Sequence, residues 1–211
     1  MLRIVVTAAA PDPEAIGRAA AVLREGRIAA IPTDTLYGLA ANPFDSRAVA
    51  GIFTIKNRNL EKAIPLVAAD LMQVHVHIGP LSLLGERLAS RFWPGPLTLI
   101  VKAPDTLAVE VTGGTGTVGV RVPAHDVTRA LCAATGFPLT ATSANISGQP
   151  ATAIADVVAA ELGSRLDLLV DAGNTPGGPP STIVDVSGAE PRLVRTGAIA
   201  WHDVLAATRA E

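Results

Sequence analysis

Cysteine is nearly absent. Cys132 alone among 211 residues excludes an internal disulfide and suits a reducing compartment. Aromatic residues make up 3% of the chain, so the core must be packed from Ala, Val, Leu and Ile, and stacking platforms for bases are scarce. Charged residues reach only 17% and the formal net charge is -2. That balance argues against a strongly basic surface that coats nucleic acid, but it leaves room for a local basic pocket. No uncharged apolar run approaches the roughly 18 residues of a membrane helix. Met1 to Thr7 turns polar too soon for a signal peptide, so a cytoplasmic protein without membrane contact is expected. A Walker A loop, a GxGxxG fingerprint and a GxSxG elbow are all missing, so any nucleotide would be held by another arrangement. The four histidines (His75, His77, His125, His202) offer no evident base for a serine nucleophile. His75 and His77, two apart, read as a polar strand face rather than a metal pair.

What is present is apolar: 49% of the residues are hydrophobic, enough for a large core, and no linker splits residues 1–211 into more than one domain. Leu2 to Val6 reads as a strand. Asp12-Pro13-Glu14 starts a helix that Gly26 stops, and Asp45 caps a second helix from Ser46 to Ile55. Apolar strands are expected at Ile28–Ile31, Ile64–Ala68, Leu97–Val101, Val118–Val122, Pro138–Ala141, Leu166–Val170, Ser181–Val186 and Arg192–Arg195. Further helices are expected from about Leu81 to Phe92, from Asp126 to Ala134, from a Thr152 cap to Leu162, and from Trp201 onward. Helices and strands alternate irregularly, which predicts an α/β fold with a twisted mixed sheet and flanking helices.

Three stretches carry polar groups that a core alone does not explain. At the end of the first buried strand, Pro32 stops the ladder, and Thr33, Asp34, Thr35 and Tyr37 gather before Gly38. Small polar groups at a strand end suit a ligand pocket in an α/β sheet, although the same residues also make ordinary turns. Lys56, Arg58 and Lys62 surround Glu61 where a helix hands over to a strand, either as a polyphosphate clamp or as a solvated charged loop. Ser143-Ala144-Asn145-Ile146-Ser147-Gly148 packs hydroxyl and amide groups into a turn able to cradle an anion. Arg121 is the sharpest single residue. A guanidinium inside Val118-Gly119-Val120-Arg121-Val122-Pro123 needs an anionic partner, either a core carboxylate or a ligand's carboxylate or phosphate.

The ordered set resembles the YrdC-like L-threonylcarbamoyladenylate synthases. The blocks that carry the resemblance are Pro32-Thr33-Asp34-Thr35-Leu36-Tyr37-Gly38-Leu39, Lys56-x-Arg58 with Lys62, and Trp93-Pro94-Gly95-Pro96-Leu97-Thr98. They continue with Val120-Arg121-Val122-Pro123, Ser143 to Gly148, Ser181-Thr182 and Leu193-Val194-Arg195-x-Gly197, and together they cover almost the whole chain. The resemblance implies a fold with one large concave cavity, in the short form that ends soon after the YrdC-like part. It implies an enzyme that joins L-threonine, bicarbonate and ATP into threonylcarbamoyl-AMP and pyrophosphate, with magnesium on the phosphates. It also implies a downstream tRNA threonylcarbamoyl-transferase complex that uses the product.

By the same resemblance, Thr35, Val67, Arg121, Ala141 and Ser181 match threonine-binding positions, with Arg121 on the carboxylate. Lys56, Arg58, Lys62, Thr117, Ser143, Asn145, Ala151 and Arg195 match ATP-binding ones. Asn59 stands where the family usually has proline, and Thr196 where Arg-Pro-Gly is common; both loosen loops beside ligand-binding arginines. The alternative reading is an RNA- or nucleotide-binding YrdC-like paralogue without threonine chemistry, with contact to RNA or tRNA left open.

Overall fold

Asp12 opens the first helix by accepting hydrogen bonds from the amides of Glu14 and Ala15, with Pro13 at the first helical position where its missing N–H costs nothing. The computed structural model describes residues 1–57 and 62–209. The first half of the chain runs β1 (Leu2–Val5), α1 (Pro13–Arg24), β2 (Ala29–Ile31), β3 (Gly38–Ala40), α2 (Ser46–Lys56), β4 (Leu66–Val67), α3 (Leu71–His77), α4 (Leu83–Phe92) and β5 (Leu97–Lys102). The second half runs α5 (Val109–Thr112), β6 (Thr117–Arg121), α6 (Asp126–Thr135), β7 (Leu139–Thr140), β8 (Thr142–Ser143), α7 (Ala155–Leu162), β9 (Leu168–Asp171), β10 (Thr182–Asp185), β11 (Arg192–Arg195) and α8 (Trp201–Thr208).

The strands form two mixed sheets, ordered β1-β9-β2-β3-β8 and β11-β10-β5-β6-β4-β7. The chain passes from one to the other between β7 and β8 across a single residue, Ala141, whose amide bonds to the Pro65 carbonyl at 2.8 Å. At this junction backbone groups leave both ladders together, and a cavity opens there. Helices α1 and α6 cover the first sheet with Ile16, Ala19, Leu23, Val127 and Leu131. Cys132 is buried among them, and its burial pushes the thiol up to about 12, consistent with a small core residue. A second apolar cluster built on Ile52, Phe53, Leu66, Leu88, Leu97, Leu99 and Val120 fills the other side. Among the described residues, no helix is long and apolar enough to cross a membrane.

Several expectations need correction. His75 and His77 lie in the last turn of helix α3, not on a strand. Two positions on a helix do not share a face, and the rings diverge accordingly: His75 Nε2 is 2.7 Å from Glu86 Oε1, while His77 packs near Phe44. The helical signal was present, because Asp70 caps the helix through the Gln73 amide and Val74 and Ile78 are buried one turn apart. Ser82 caps α4, which starts at Leu83 rather than at about Leu81. Thr152 does not cap α7. Its hydroxyl accepts from the amide of Ile154, the residue just before the helix, which starts at Ala155 with no side-chain cap. The strand expected from Pro138 to Ala141 is cut to β7 (Leu139–Thr140), and after Ala141 the chain enters the other sheet as β8 (Thr142–Ser143). Gly38 begins β3, paired with Ile31 on one side and Ser143 on the other, in a close approach where a Cβ would meet the Thr142 carbonyl oxygen at 3.3 Å.

Candidate functional site

The cavity, of about 380 Å³, is lined from both sheets: Thr33, Thr35 and Gly38, then Val67, Thr98 and Arg121, then Ala141, Ser143, Ser181 and Arg195. Volume does not distinguish it, since other clefts measure about 340, 450 and 350 Å³. Its lining does, because hydroxyls and two guanidiniums converge here from separate parts of the chain.

Each polar group is held by the local fold. Beyond Pro32 the backbone turns, and the Thr33 hydroxyl donates to the Leu36 carbonyl at 2.8 Å, accepts from the Thr35 amide and meets the Thr35 hydroxyl at 3.1 Å. The Thr35 carbonyl is fixed from the far side by the Thr175 hydroxyl and the Gly177 amide, each at 2.9 Å. Across the cavity the Ser181 hydroxyl meets Thr98 Oγ1 at 2.9 Å, and the Arg195 guanidinium donates to the Ser181 carbonyl at 2.7 Å and to its hydroxyl at 3.1 Å.

Arg121 ends β6 beside Val67 of β4. Its side chain is 9% exposed, and its Nη1 lies 3.1 Å from Asp34 Oδ1, whose side chain is 8% exposed. The contact is an ion pair without hydrogen-bond geometry: both atoms are buried, and neither has a hydrogen-bond partner among the described residues. A buried guanidinium left in that state is costly and calls for an explanation. Burial holds the Arg121 pKa below its ordinary value, Asp34 opposes that, and the charge of Arg195 adds to it. Burial likewise lowers Arg195. Two cations that raise each other's energy across one cavity make it a site for an anion.

The positions expected from the sequence separate into wall, strut and rim. Thr35, Val67, Arg121, Ala141, Ser143, Ser181 and Arg195 all line the cavity. Lys56 does not. Its ammonium donates to the Ser143 carbonyl, to the Asn145 carbonyl at 2.9 Å and to Asn145 Oδ1 at 2.9 Å. A longer contact, at 3.4 Å, reaches the Ser143 hydroxyl, so Lys56 acts as a strut behind the wall. Asn145 belongs to the same strut, accepting from the Ser143 hydroxyl at 2.6 Å. Thr117 starts the strand that ends in Arg121, about 13 Å away by strand rise, and its hydroxyl meets that of Thr115 at 3.0 Å. Thr117, Ala151 and the exposed Lys62 are not among the lining residues. Arg58 and Asn59 lie outside the described residues.

Sequence reasoning assigned no ligand to Thr98 or Asp34. Thr98 could have been found as the hydroxyl inside Leu97-Thr98-Leu99-Ile100-Val101. Asp34 sat in plain view, but only the fold shows that Arg121, 87 positions on, returns to it.

The backbone at Ser181 is fixed by a glycine. A side chain at Gly197 would meet the Pro180 carbonyl oxygen at 2.3 Å and the Ser181 carbonyl carbon at 2.4 Å, and the Ala198 amide donates to that Pro180 oxygen at 2.9 Å. This packing holds the turn. Gly197→Ala is therefore expected to lose about 1–3 kcal/mol of stability through overpacking and to move Ser181. Urea unfolding of both proteins checks it, and unchanged midpoints would show that the turn yields at no cost.

Residues 21–197 match the model of the Sua5/YciO/YrdC family, whose description is telomere recombination. The chain is 38% identical over 186 residues to the threonylcarbamoyl-AMP synthase of Pyrococcus abyssi, covering 88% of this chain and 55% of that protein. It is 40% identical over 194 residues to the threonylcarbamoyl-AMP synthase of Bacillus subtilis, covering 92% and 56% respectively. The chain thus spans about half the length of these curated relatives. The crystal structure of P. abyssi Sua5 complexed with L-threonine superposes with a TM-score of 0.93 at 35% identity, over 98% of this chain and 61% of that one. A shared fold, a family model that matches most of the sequence and relatives at this identity lead to one assignment: the chain belongs to the Sua5/YciO/YrdC family.

Proposed function

We propose that the protein is an L-threonylcarbamoyladenylate synthase and that the cavity between its sheets is the active site. The observation that carries this reading is the buried guanidinium of Arg121, which lines a cavity flanked by the hydroxyls of Thr35 and Ser181 while its Nη1 faces Asp34. A small hydroxylated amino acid satisfies all three, its carboxylate on the guanidinium and its hydroxyl within the polar wall. The L-threonine bound in the crystal structure of P. abyssi Sua5 supports the same choice. ATP enters beside Ser143 and Arg195, with Arg58, Lys62, Thr117 and Ala151 assigned to it by resemblance.

The chemistry needs no protein nucleophile. Threonine's amine takes up bicarbonate carbon as a carbamate with loss of water. A carbamate oxygen then attacks the α-phosphorus of ATP, and pyrophosphate leaves. This chain's contribution is positioning by the two walls and neutralisation of charge by guanidiniums. Magnesium, when bound, would be carried by the nucleotide's phosphates and would neutralise their charge. No group of three or more His, Cys, Asp or Glu side chains among the described residues is placed to cradle it. The product then passes to a tRNA threonylcarbamoyl-transferase complex.

The test is incubation with threonine, bicarbonate, magnesium and ATP, followed by chromatography for the adenylate and an assay for pyrophosphate. Threonine dependence of both signals is expected. Nucleotide binding without product would favour a paralogue that has lost the chemistry. Because Thr35 and Ser181 present hydroxyls, valine and alanine are expected to turn over at least about tenfold more slowly than threonine, the worth of one lost hydrogen bond. Equal rates for the three amino acids would contradict the assigned wall.

A further inference from the structure

Arg121 lines the cavity, and Asp34 stands behind it. Asp34 is anchored on its other side, where Oδ2 accepts from the Ala124 amide at 3.2 Å in the turn that follows β6. The carboxylate is thus held by backbone it does not share a strand with, and its remaining oxygen faces Nη1 of Arg121 at 3.1 Å, out of line for a hydrogen bond. A carboxylate that gripped the guanidinium in a two-bond fork would use the donors an incoming anion needs. This one faces Nη1 alone and leaves the rest of the guanidinium to the cavity. His125, in the same turn, is the other titratable group whose charge couples to Asp34; burial lowers its pKa, so it does not add a competing cation at neutral pH.

We infer that Asp34 is a positioning residue for the amino-acid substrate: it holds the buried Arg121 guanidinium turned toward the cavity without gripping it in a two-bond fork. Asp34 acts through Arg121 and does not touch the substrate. The inference rests on the reading that Arg121 receives the threonine carboxylate.

Two substitutions separate charge from shape. Asp34→Asn keeps the size and the acceptor for Ala124 but removes the charge, whereas Asp34→Glu keeps the charge and changes the length. Calorimetric titration with L-threonine and with a non-hydrolysable ATP analogue is the measurement. Asp34→Asn is expected to weaken threonine about tenfold, Asp34→Glu no more than about threefold, and neither to move the nucleotide by more than about twofold. A residue that merely fills space predicts the opposite order, with the isosteric Asn closer to wild type, and that order would overturn the proposal. Wild-type threonine affinity in a folded Asp34→Asn protein would overturn it too. If Asp34→Asn does not fold, Asp34→Glu decides alone: threonine binding within threefold of wild type supports the role, and a tenfold loss refutes it. In an Arg121→Ala background, Asp34→Asn should weaken threonine no further and should recover part of the melting temperature. If Arg121→Ala by itself leaves threonine binding intact, the fault lies in the placement of the carboxylate, not in the relation between Asp34 and Arg121.

Discussion

Arg121→Ala is expected to weaken threonine binding by about 10- to 100-fold and to leave nucleotide affinity nearly unchanged. The guanidinium lines the cavity wall with Nη1 turned to Asp34, so a carboxylate arriving at its cavity side gains charge-assisted bonds. Each such bond is worth about 1.5–3 kcal/mol, which converts to that range of affinity. Arg58→Ala should do the reverse, weakening ATP and sparing threonine, since its partner by resemblance is phosphate. Arg121 has a second duty that the same experiment must separate. Its removal strands Asp34 as a buried carboxylate, so the melting temperature of Arg121→Ala should fall as well. Arg121→Lys restores a cation beside Asp34 and should recover most of that stability. It should not recover threonine, because an ammonium cannot present a planar fork to a carboxylate. Equal loss of threonine and nucleotide in a well-folded Arg121→Ala protein would show that the pocket is divided differently.

The parts of the fold legible in the sequence were those written in local chemistry. Asp12, Asp45 and Pro13 announced helix starts, and the apolar run to Ile31 stopped at Pro32 as a ladder must. The partition into two sheets was not legible, because it depends on a one-residue crossing at Ala141 between two-residue strands. Strands that short carry no periodicity to read. Helix α3 was misread for a related reason: the alternating His75-Val76-His77 imitates a strand, and the Asp70 cap that contradicts it is a single residue. The site shows the same division. Arg121 stood out as a charge in an apolar run, but its partner Asp34 lies in a distant block, and pairing between blocks is a property of topology. Lys56 was legible as part of a basic cluster and illegible as a strut.

That strut has a measurable consequence. Lys56 ends helix α2, where an ammonium also complements the carbonyl end of the helix. Its side chain spans the turn from Ser143 to Asn145, and its own carbonyl accepts from the Ser147 amide at 2.9 Å, so one residue pins the turn at both ends. Lys56→Met has similar length but no donors. It leaves the carbonyls of Ser143 and Asn145 and the Asn145 side-chain oxygen without their ammonium in a buried place. Stranded acceptors cost about 1–3 kcal/mol each before relaxation, so a total of about 3–5 kcal/mol is expected. For a chain of this size that corresponds to a fall of roughly 6–20 °C in melting temperature. Nucleotide affinity should fall with it, because Ser143 loses its support at the cavity wall. Lys56→Arg should rescue neither property, since a guanidinium is too broad and planar for three acceptors arranged around a point charge. A direct phosphate ligand would behave differently: Lys56→Met would then lose nucleotide and keep its melting temperature, and Lys56→Arg would retain part of the binding. Thermal melts and nucleotide titrations of the two variants therefore decide whether this lysine holds the ligand or holds the wall that holds it.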